Sequence, residues 1–231
     1  MAHTDSEDAK MRTFNRDGSE GKMSGNSIRS LGKYLYDNGM VDKLNISIET
    51  LSGIKNLEMT TKNGKVDTVK VNMGCPSFAP ETVPVKLSGD SVIDREVEIS
   101  GNKYKINCVS MGNPHCVIFT EDVEKIILPK VGPKFENNPM FPERVNVEFA
   151  KIINKNSIIM RCWERGSGLT MECGTGACAV VVMAVEKGFC NKNEDIRVIL
   201  HKGEVIIRYC DDGNVYLTGD SQKVYDGSIE L

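Results

Sequence analysis

The chain has 231 residues, 40% hydrophobic and 26% charged, with a formal charge of −3 at pH 7. That length supports one or two domains with a sizeable core, and the slight negative charge excludes bulk electrostatic attraction to nucleic acid or an anionic membrane. The opening M-A-H-T-D-S-E-D-A-K is too polar for a signal-peptide core, and the longest apolar run, A-C-A-V-V-V-M-A-V at 177–185, is too short to span a bilayer.

Taken in chain order, Gly18-Ser19 leads into M-S-G-N-S-I-R-S (23–30), whose small and polar residues suit a helix start, and Gly39 suits its end. The strand-like I-S-I-E-T-L-S-G (46–53) follows, then N-G-K-V-D-T-V-K-V (63–71), which opens on a hairpin dipeptide. A block from Pro80 to Cys162 holds further strand-like runs, among them V-E-I-S-G-N-K-Y-K-I-N-C-V (97–109) and C-V-I-F-T (116–120). The pattern then repeats. Gly166-Ser167 precedes E-C-G-T-G-A-C-A (172–179), and Gly188 lies 15 positions after Cys173, just as Gly39 lies 15 after Ser24. I-R-V-I-L-H-K-G (196–203) and D-G-N-V-Y-L-T (212–218) answer the two earlier strand signals. Residues 16–74 and 165–219 thus read as two versions of one unit of loop, helix and β-hairpin. If the two are equivalent, the first lacks a counterpart of the 80–162 block.

Eight cysteines stand at 75, 108, 116, 162, 173, 178, 190 and 210, with no C-x-x-C pair, and histidines only at 3, 115 and 201. The spacing speaks against a disulfide framework and against zinc ligation. Reduced thiols in a cytoplasm are expected, mostly as small core residues, and no metal site is expected. Cys173 stands apart. A thiol at a helix N-terminus meets unpaired N–H groups and the positive end of the macrodipole, which lowers its pKa. Gly174 and Gly176 allow close approach of a ligand, Thr175 adds a hydroxyl, and the same N–H groups suit a carboxylate. One loop thereby offers a base and a carboxylate cradle, the needs of proton abstraction α to a carboxylate. The plainer reading is a buried cysteine capping a core helix. Asn113 and His115 in G-N-P-H-C, Asn146 on the alternating E-R-V-N-V-E-F, and Glu164 and Arg165 in W-E-R-G-S-G each have ordinary structural roles when taken singly. Their joint presence beside Cys173 favours function.

Four ordered stretches carry a resemblance to one family: F-N-R-D-G-S-E-G-K-M-S-G-N-S-I-R-S, G-N-P-H-C-V-I-F, P-E-R-V-N-V-E-F and W-E-R-G-S-G-L-T-M-E-C-G-T-G-A-C-A. From about Lys10 to the C-terminus the chain resembles diaminopimelate epimerase, an amino-acid epimerase of lysine and peptidoglycan precursor synthesis that works without pyridoxal phosphate. The resemblance implies an α+β fold of two pseudo-symmetric domains, each a β-structure wrapped around a central helix, with the first domain incomplete here. Residues 1–78 would form the partial N-terminal domain, joined by a returning C-terminal strand at 220–231, and residues 79–219 the C-terminal domain. The substrate of the family lies in the cleft between the domains, and each helix start presents one cysteine, so that one takes the α-proton and the other returns one.

Carried over by motif, Cys173 is one acid–base residue and Ser24 occupies the position of the second. Gly174 and Thr175, with Gly25 and Asn26, would bind the reacting carboxylate. Asn15, Asn113, Asn146 and Arg165 would read the distal end, while His115 and Glu164 would line the site. No cofactor and no metal are implied; the partner is a small amino-acid substrate, and a homodimer stays open. Ser24 departs from the family pattern, as do Ser27 and Ser30 beside it. An alcohol is a far weaker acid than a thiol, so Ser24 is expected to be a neutral hydroxyl and a plain N-cap. Two other readings stay open: a single-base racemase or hydroxyproline dehydratase, and a non-catalytic amino-acid-binding protein.

Overall fold

A computed structural model describes residues 7–228 except 15–17, 19 and 22. The chain forms two compact units, one from residues 1–70 and 219–231 and the other from 71–218. The first contains β1 (Ala9–Lys10), β2 (Thr13–Phe14), β3 (Glu20–Gly21), α1 (Gly25–Asp37), β4 (Asn45–Thr50), β5 (Gly53–Lys62) and most of β6 (Lys65–Gly74). The second contains β7 (Val92–Ile99), β8 (Asn102–Ser110), β9 (Pro114–Phe119), α2 (Leu128–Glu136), β10 (Asn146–Asn154), β11 (Ser157–Glu164), β12 (Gly168–Thr170), α3 (Gly174–Glu186), β13 (Ile196–Ile199), β14 (Glu204–Tyr209) and β15 (Val215–Gly219). The chain changes unit inside β6, eight positions before the 78/79 boundary read from the sequence, because the connection is a continuous strand and not a loop.

In the first unit the strand order is β1-β4-β5-β6, with β1 parallel to β4 and β4 antiparallel to β5. Asn63 and Gly64 both take left-handed backbone (φ 54° and 75°), the conformation of a two-residue hairpin turn, so the strands on either side reverse tightly. Helix α1 buries a single stripe, Gly25, Ile28, Arg29, Gly32 and Leu35, at the spacing of one helix face. At Gly32 an added Cβ would sit 2.8 Å from Leu57 Cδ2, which shows how closely α1 lies on β5.

In the second unit the order is β15-β14-β13-β11-β10-β9-β8-β7, with β12 paired to β11. Asn146 to Ala150 of β10 are all buried, although the sequence suggested a half-exposed alternating strand. Both of its faces are covered. Val147 and Phe149 join Phe135 and Leu128 of α2 in one core, while Glu148 on the opposite face approaches the start of α3. Helix α3 is the central helix, with ten of its thirteen residues buried. Helix α2 was not legible in L-P-K-V-G-P-K-F-E because a proline and a glycine inside the helix argue against one. Gly132 is there for space: a Cβ would lie 2.3 Å from Trp163 Cγ.

The internal repeat is plain in the structure. Helices α1 and α3 are each thirteen residues long and are preceded by caps of nearly equal conformation, Ser24 at φ −137°, ψ 120° and Cys173 at φ −130°, ψ 103°. Each ends on a left-handed glycine, Gly39 (φ 68°) or Gly188 (φ 72°). There Gly39 N–H donates to Tyr36 O and Met40 N–H to Leu35 O, just as Gly188 N–H donates to Val185 O and Phe189 N–H to Ala184 O, which are Schellman endings. Each helix is followed by three strands, β4-β5-β6 or β13-β14-β15. The strand expected at 220–231 is a correction: residues 220–228 form none, and 229–231 lie outside the described residues. Val224 and Tyr225 are largely exposed, so no packing of these apolar side chains holds the segment in a sheet. It is held to α1 by Ser30 and Ser221, whose hydroxyls lie 3.0 Å apart, and by Arg29 donating to Asp220 O at 3.5 Å. Among the described residues no helix is long and apolar enough to cross a membrane.

Candidate active site

Strand register assembles the second unit's polar cluster. Glu148 on β10 pairs with Cys162 on β11, and Cys162 pairs with Thr170 on β12. Antiparallel partners point to one face, so these side chains converge, joined by Glu164 two residues beyond Cys162. On the other side of β10, Asn146 pairs with His115 of β9. The start of α3 completes the group.

Cys173 caps α3: its Sγ accepts from Gly176 N–H at 3.3 Å and lies 3.7 Å from Thr175 Oγ1. Asn113 Nδ2 donates to Thr175 Oγ1 at 3.2 Å, and Asn113 Oδ1 lies 3.0 Å from His115 Nε2. His115 Nδ1 in turn lies 2.7 Å from Glu148 Oε1, with both side chains fully buried. A chain of polar contacts therefore runs from the buried carboxylate to the hydroxyl beside the thiol. Burial pushes Glu148 above the usual carboxylate range against the opposing pull of His115, and Glu164 adds to the rise. Its Oε2 has no partner among the described residues. Gly176 cannot carry a side chain here, since a Cβ would sit 2.8 Å from Glu148 Oε1 and 3.0 Å from Cys173 Sγ.

The lowered thiol pKa expected at the helix start is a correction. The abutting Cys162 thiol, burial, and the carboxylates of Glu164 and Glu148 push Cys173 well above the ordinary thiol value. The N–H groups of α3 favour the thiolate, but a buried thiol among other acids cannot ionise cheaply. Cys162 Sγ, a Glu164 carboxylate oxygen and Cys173 Sγ all lie within 4.8 Å of one another. Thr170 Oγ1 ties two of them, donating to Glu164 Oε1 and lying 3.2 Å from Cys162 Sγ.

Asn146 is a brace: its Nδ2 donates to Pro114 O at 2.8 Å and its Oδ1 accepts from Arg165 N–H at 2.9 Å. Arg165 itself donates from Nη1 to Glu143 O at 3.1 Å. The turn that carries Glu164 and Arg165 is held from behind by Glu136 of α2, which accepts from Trp163 Nε1 at 2.7 Å and from Gly166 N–H at 2.8 Å. Asn113, His115, Asn146, Glu164, Arg165, Cys173, Gly174 and Thr175 thus belong to one unit, and Ser24, Gly25 and Asn26 to the start of α1 in the other. Ser24 Oγ accepts from Ser27 N–H at 3.3 Å and from Ser27 Oγ at 3.0 Å, the geometry of an N-cap. Asn15 lies outside the described residues. Sequence reasoning missed Glu136, Glu148, Cys162 and Thr170. A readable signal existed for one: Glu148 is the only charge in the V-N-V-E-F stretch, on the same side of the strand as Asn146.

A family model described as "Diaminopimelate epimerase" matches residues 1–79 and 107–224. The diaminopimelate epimerase of Acetivibrio thermocellus is 46% identical over 225 residues, covering 97% of this chain and 80% of that protein. The chain belongs to the diaminopimelate epimerase family. The epimerase of the same description from Methanococcus maripaludis strain C5 is 47% identical over 229 residues, 99% of this chain and 82% of its own length. Among solved structures, a probable proline racemase from Agrobacterium radiobacter K84 superposes with a TM-score of 0.71 at 16% identity, covering 98% of this chain and 74% of its own. A hydroxyproline epimerase from Agrobacterium vitis, solved with trans-4-hydroxy-L-proline, gives 0.69 at 14%, covering 91% and 67%. At those identities the two racemase-like structures share the fold, an α+β architecture dominated by sheet.

Proposed function

We propose that Cys173 is the acid–base residue of an epimerase acting on diaminopimelate, and that Ser24 withholds its partner's half of the reaction. The observation that carries this is the contrast between two equivalent helix caps, a thiol on α3 and a hydroxyl on α1. At Cys173 the N–H groups of α3 and the Thr175 hydroxyl form a donor set for the substrate's α-carboxylate as its charge develops. The Asn113–His115–Glu148 chain holds that hydroxyl in place. Arg165, whose fork suits a carboxylate, would receive the distal end, and Asn146 sets its backbone.

Cys173 rests as a thiol; its thiolate removes the α-proton, exchanges it with solvent and returns it to the same face. Ser24 is too weak an acid and base to serve the opposite face, so deuterium enters without inversion. Proton NMR of diaminopimelate incubated with the protein in heavy water tests this. Loss of the α-proton signal with the stereochemistry retained is expected, and its rate rises about tenfold per pH unit below the raised Cys173 pKa, because only the thiolate is active. Rapid interconversion of the LL and meso forms would refute the role given to Ser24. Binding without exchange would instead make the chain an amino-acid-binding protein.

A further inference from the structure

We infer that Cys162, Glu164 and Cys173 form a binding site for a thiophilic divalent cation, zinc in the first place, which caps the Cys173 thiol. The three ligand atoms lie within 4.8 Å of one another. Tetrahedral zinc with sulfur at about 2.3 Å and oxygen at about 2.1 Å needs these ligand atoms about 3.6–3.8 Å apart. Side-chain rotations of about an ångström therefore suffice.

The scaffold favours the arrangement. Cys162 and Glu164 project from one face of β11, Cys173 is fixed as the cap of α3, and Thr170 links Cys162 to Glu164. Among the described residues no lysine, arginine or histidine pairs with Glu164, and its hydrogen-bond partner is Thr170. Three groups that ionise to anions converge with no cation among them. Two sulfurs and one carboxylate select zinc or cobalt over magnesium or calcium, which prefer an all-oxygen shell. On binding, two metal–sulfur bonds form, two S–H bonds break, and two protons pass to solvent, with no change of oxidation state. The fourth position is left for water. The spacing of the cysteines hid this site, because Cys162 and Cys173 meet only through the β11–β12 hairpin.

Binding stands on the cluster geometry alone; its consequence, that the metal silences proton transfer at Cys173, rests on the function proposed above. The test is a Co²⁺ titration of the reduced full chain, followed by thiolate-to-cobalt charge-transfer absorption without substrate. One equivalent is expected to develop the band, stoichiometric Zn²⁺ to abolish it, and Cys162→Ala or Cys173→Ala to remove it. Glu164→Gln, a conservative change at a half-buried position that keeps both thiols, is expected to weaken Co²⁺ at least tenfold. It decides the matter should an alanine variant fail to fold. A wild-type chain with no band at millimolar Co²⁺, a band that persists in Cys162→Ala, or unchanged affinity in Glu164→Gln would each overturn the site. None of these results bears on proton exchange in metal-free buffer, so failure here is distinguishable from failure of the proposed function.

Discussion

Replacing Glu136 by glutamine changes one atom of a buried side chain and should loosen the turn that carries Glu164 and Arg165. The carboxylate uses its two oxygens separately: Oε2 accepts from Trp163 Nε1 at 2.7 Å, and Oε1 from Gly166 N–H at 2.8 Å, with Arg144 Nη1 at 3.4 Å. Glutamine offers one acceptor and an amide that only donates. Whichever way it turns, one of the two N–H groups faces another donor. Losing a hydrogen bond to a charged acceptor costs about 1.5–3 kcal/mol, and an unpaired buried donor costs a similar amount. Because the two overlap, the expected loss is about 2–4 kcal/mol, or a Tm lower by about 5–15 °C in a chain of this size.

The assay reads the site directly, since Trp163 is the one tryptophan in the sequence. Urea denaturation followed by its emission should show an earlier midpoint, and the folded-state spectrum should shift as the indole loses its partner. In α-proton exchange experiments the half-saturating substrate concentration should rise, because Arg165, the proposed receiver of the distal carboxylate, sits on the loosened turn. A midpoint within about 0.5 kcal/mol of wild type, the ordinary range of an uninvolved surface change, together with an unaltered spectrum would refute the bracing role.

Three further outcomes are expected. Ser24→Cys supplies a thiol at the α1 cap and should raise LL-to-meso interconversion by about 10²–10⁴-fold, the usual contribution of one acid–base group; chiral chromatography checks it, and no gain would show that Ser24 is not what limits the chain. Gly132→Ala should destabilise by at least about 2 kcal/mol in urea titrations, because its Cβ would enter the Trp163 ring at 2.3–2.4 Å and the overpacking outweighs the roughly 1 kcal/mol that alanine gains in a helix. Burial, with Glu194 nearby, pushes Cys190 up to about 11 from 9.0. A raised folded-state pKa gives stability that is full below the ordinary thiol value and is lost as pH rises from about 9 to about 11. Thermal melts across that window should fall less steeply for Cys190→Ala than for wild type.

The repeat was legible because it rests on short-range signals. The residues at both helix starts, the glycines at 39 and 188 and the N-G and D-G turns obey local rules that survive without tertiary context. Cys173, Asn113, His115, Glu164 and Arg165 were found as motif residues. Their partners were hidden for a physical reason: register decides them. Glu148 meets His115 by lying across two strands, Cys162 meets Cys173 through a hairpin, and Glu136 reaches Trp163 from a helix whose proline and glycine disguise it. The direction of the Cys173 shift escapes the sequence for the same cause, since a helix end is a local feature and three neighbouring acids are not. The strand expected after Gly219 rests on topology alone, and among its described residues, 220–228, none pairs with a neighbouring strand.

Neither α1 nor α3 has an acidic residue in its first turn. Each helix thereby forgoes the stabilisation, commonly about 0.3–1 kcal/mol, that a carboxylate at that end supplies. An aspartate at Asn26 is thus a route to a more heat-resistant chain and a poor one for a working chain, since a fixed anion would compete with any visiting one. At Thr175 the same change would stabilise nothing, because it removes the hydroxyl that accepts from Asn113 and adds an anion beside Cys173. Searches for thermostable variants that score melting temperature alone should therefore be drawn to the α1 start and not to the α3 start.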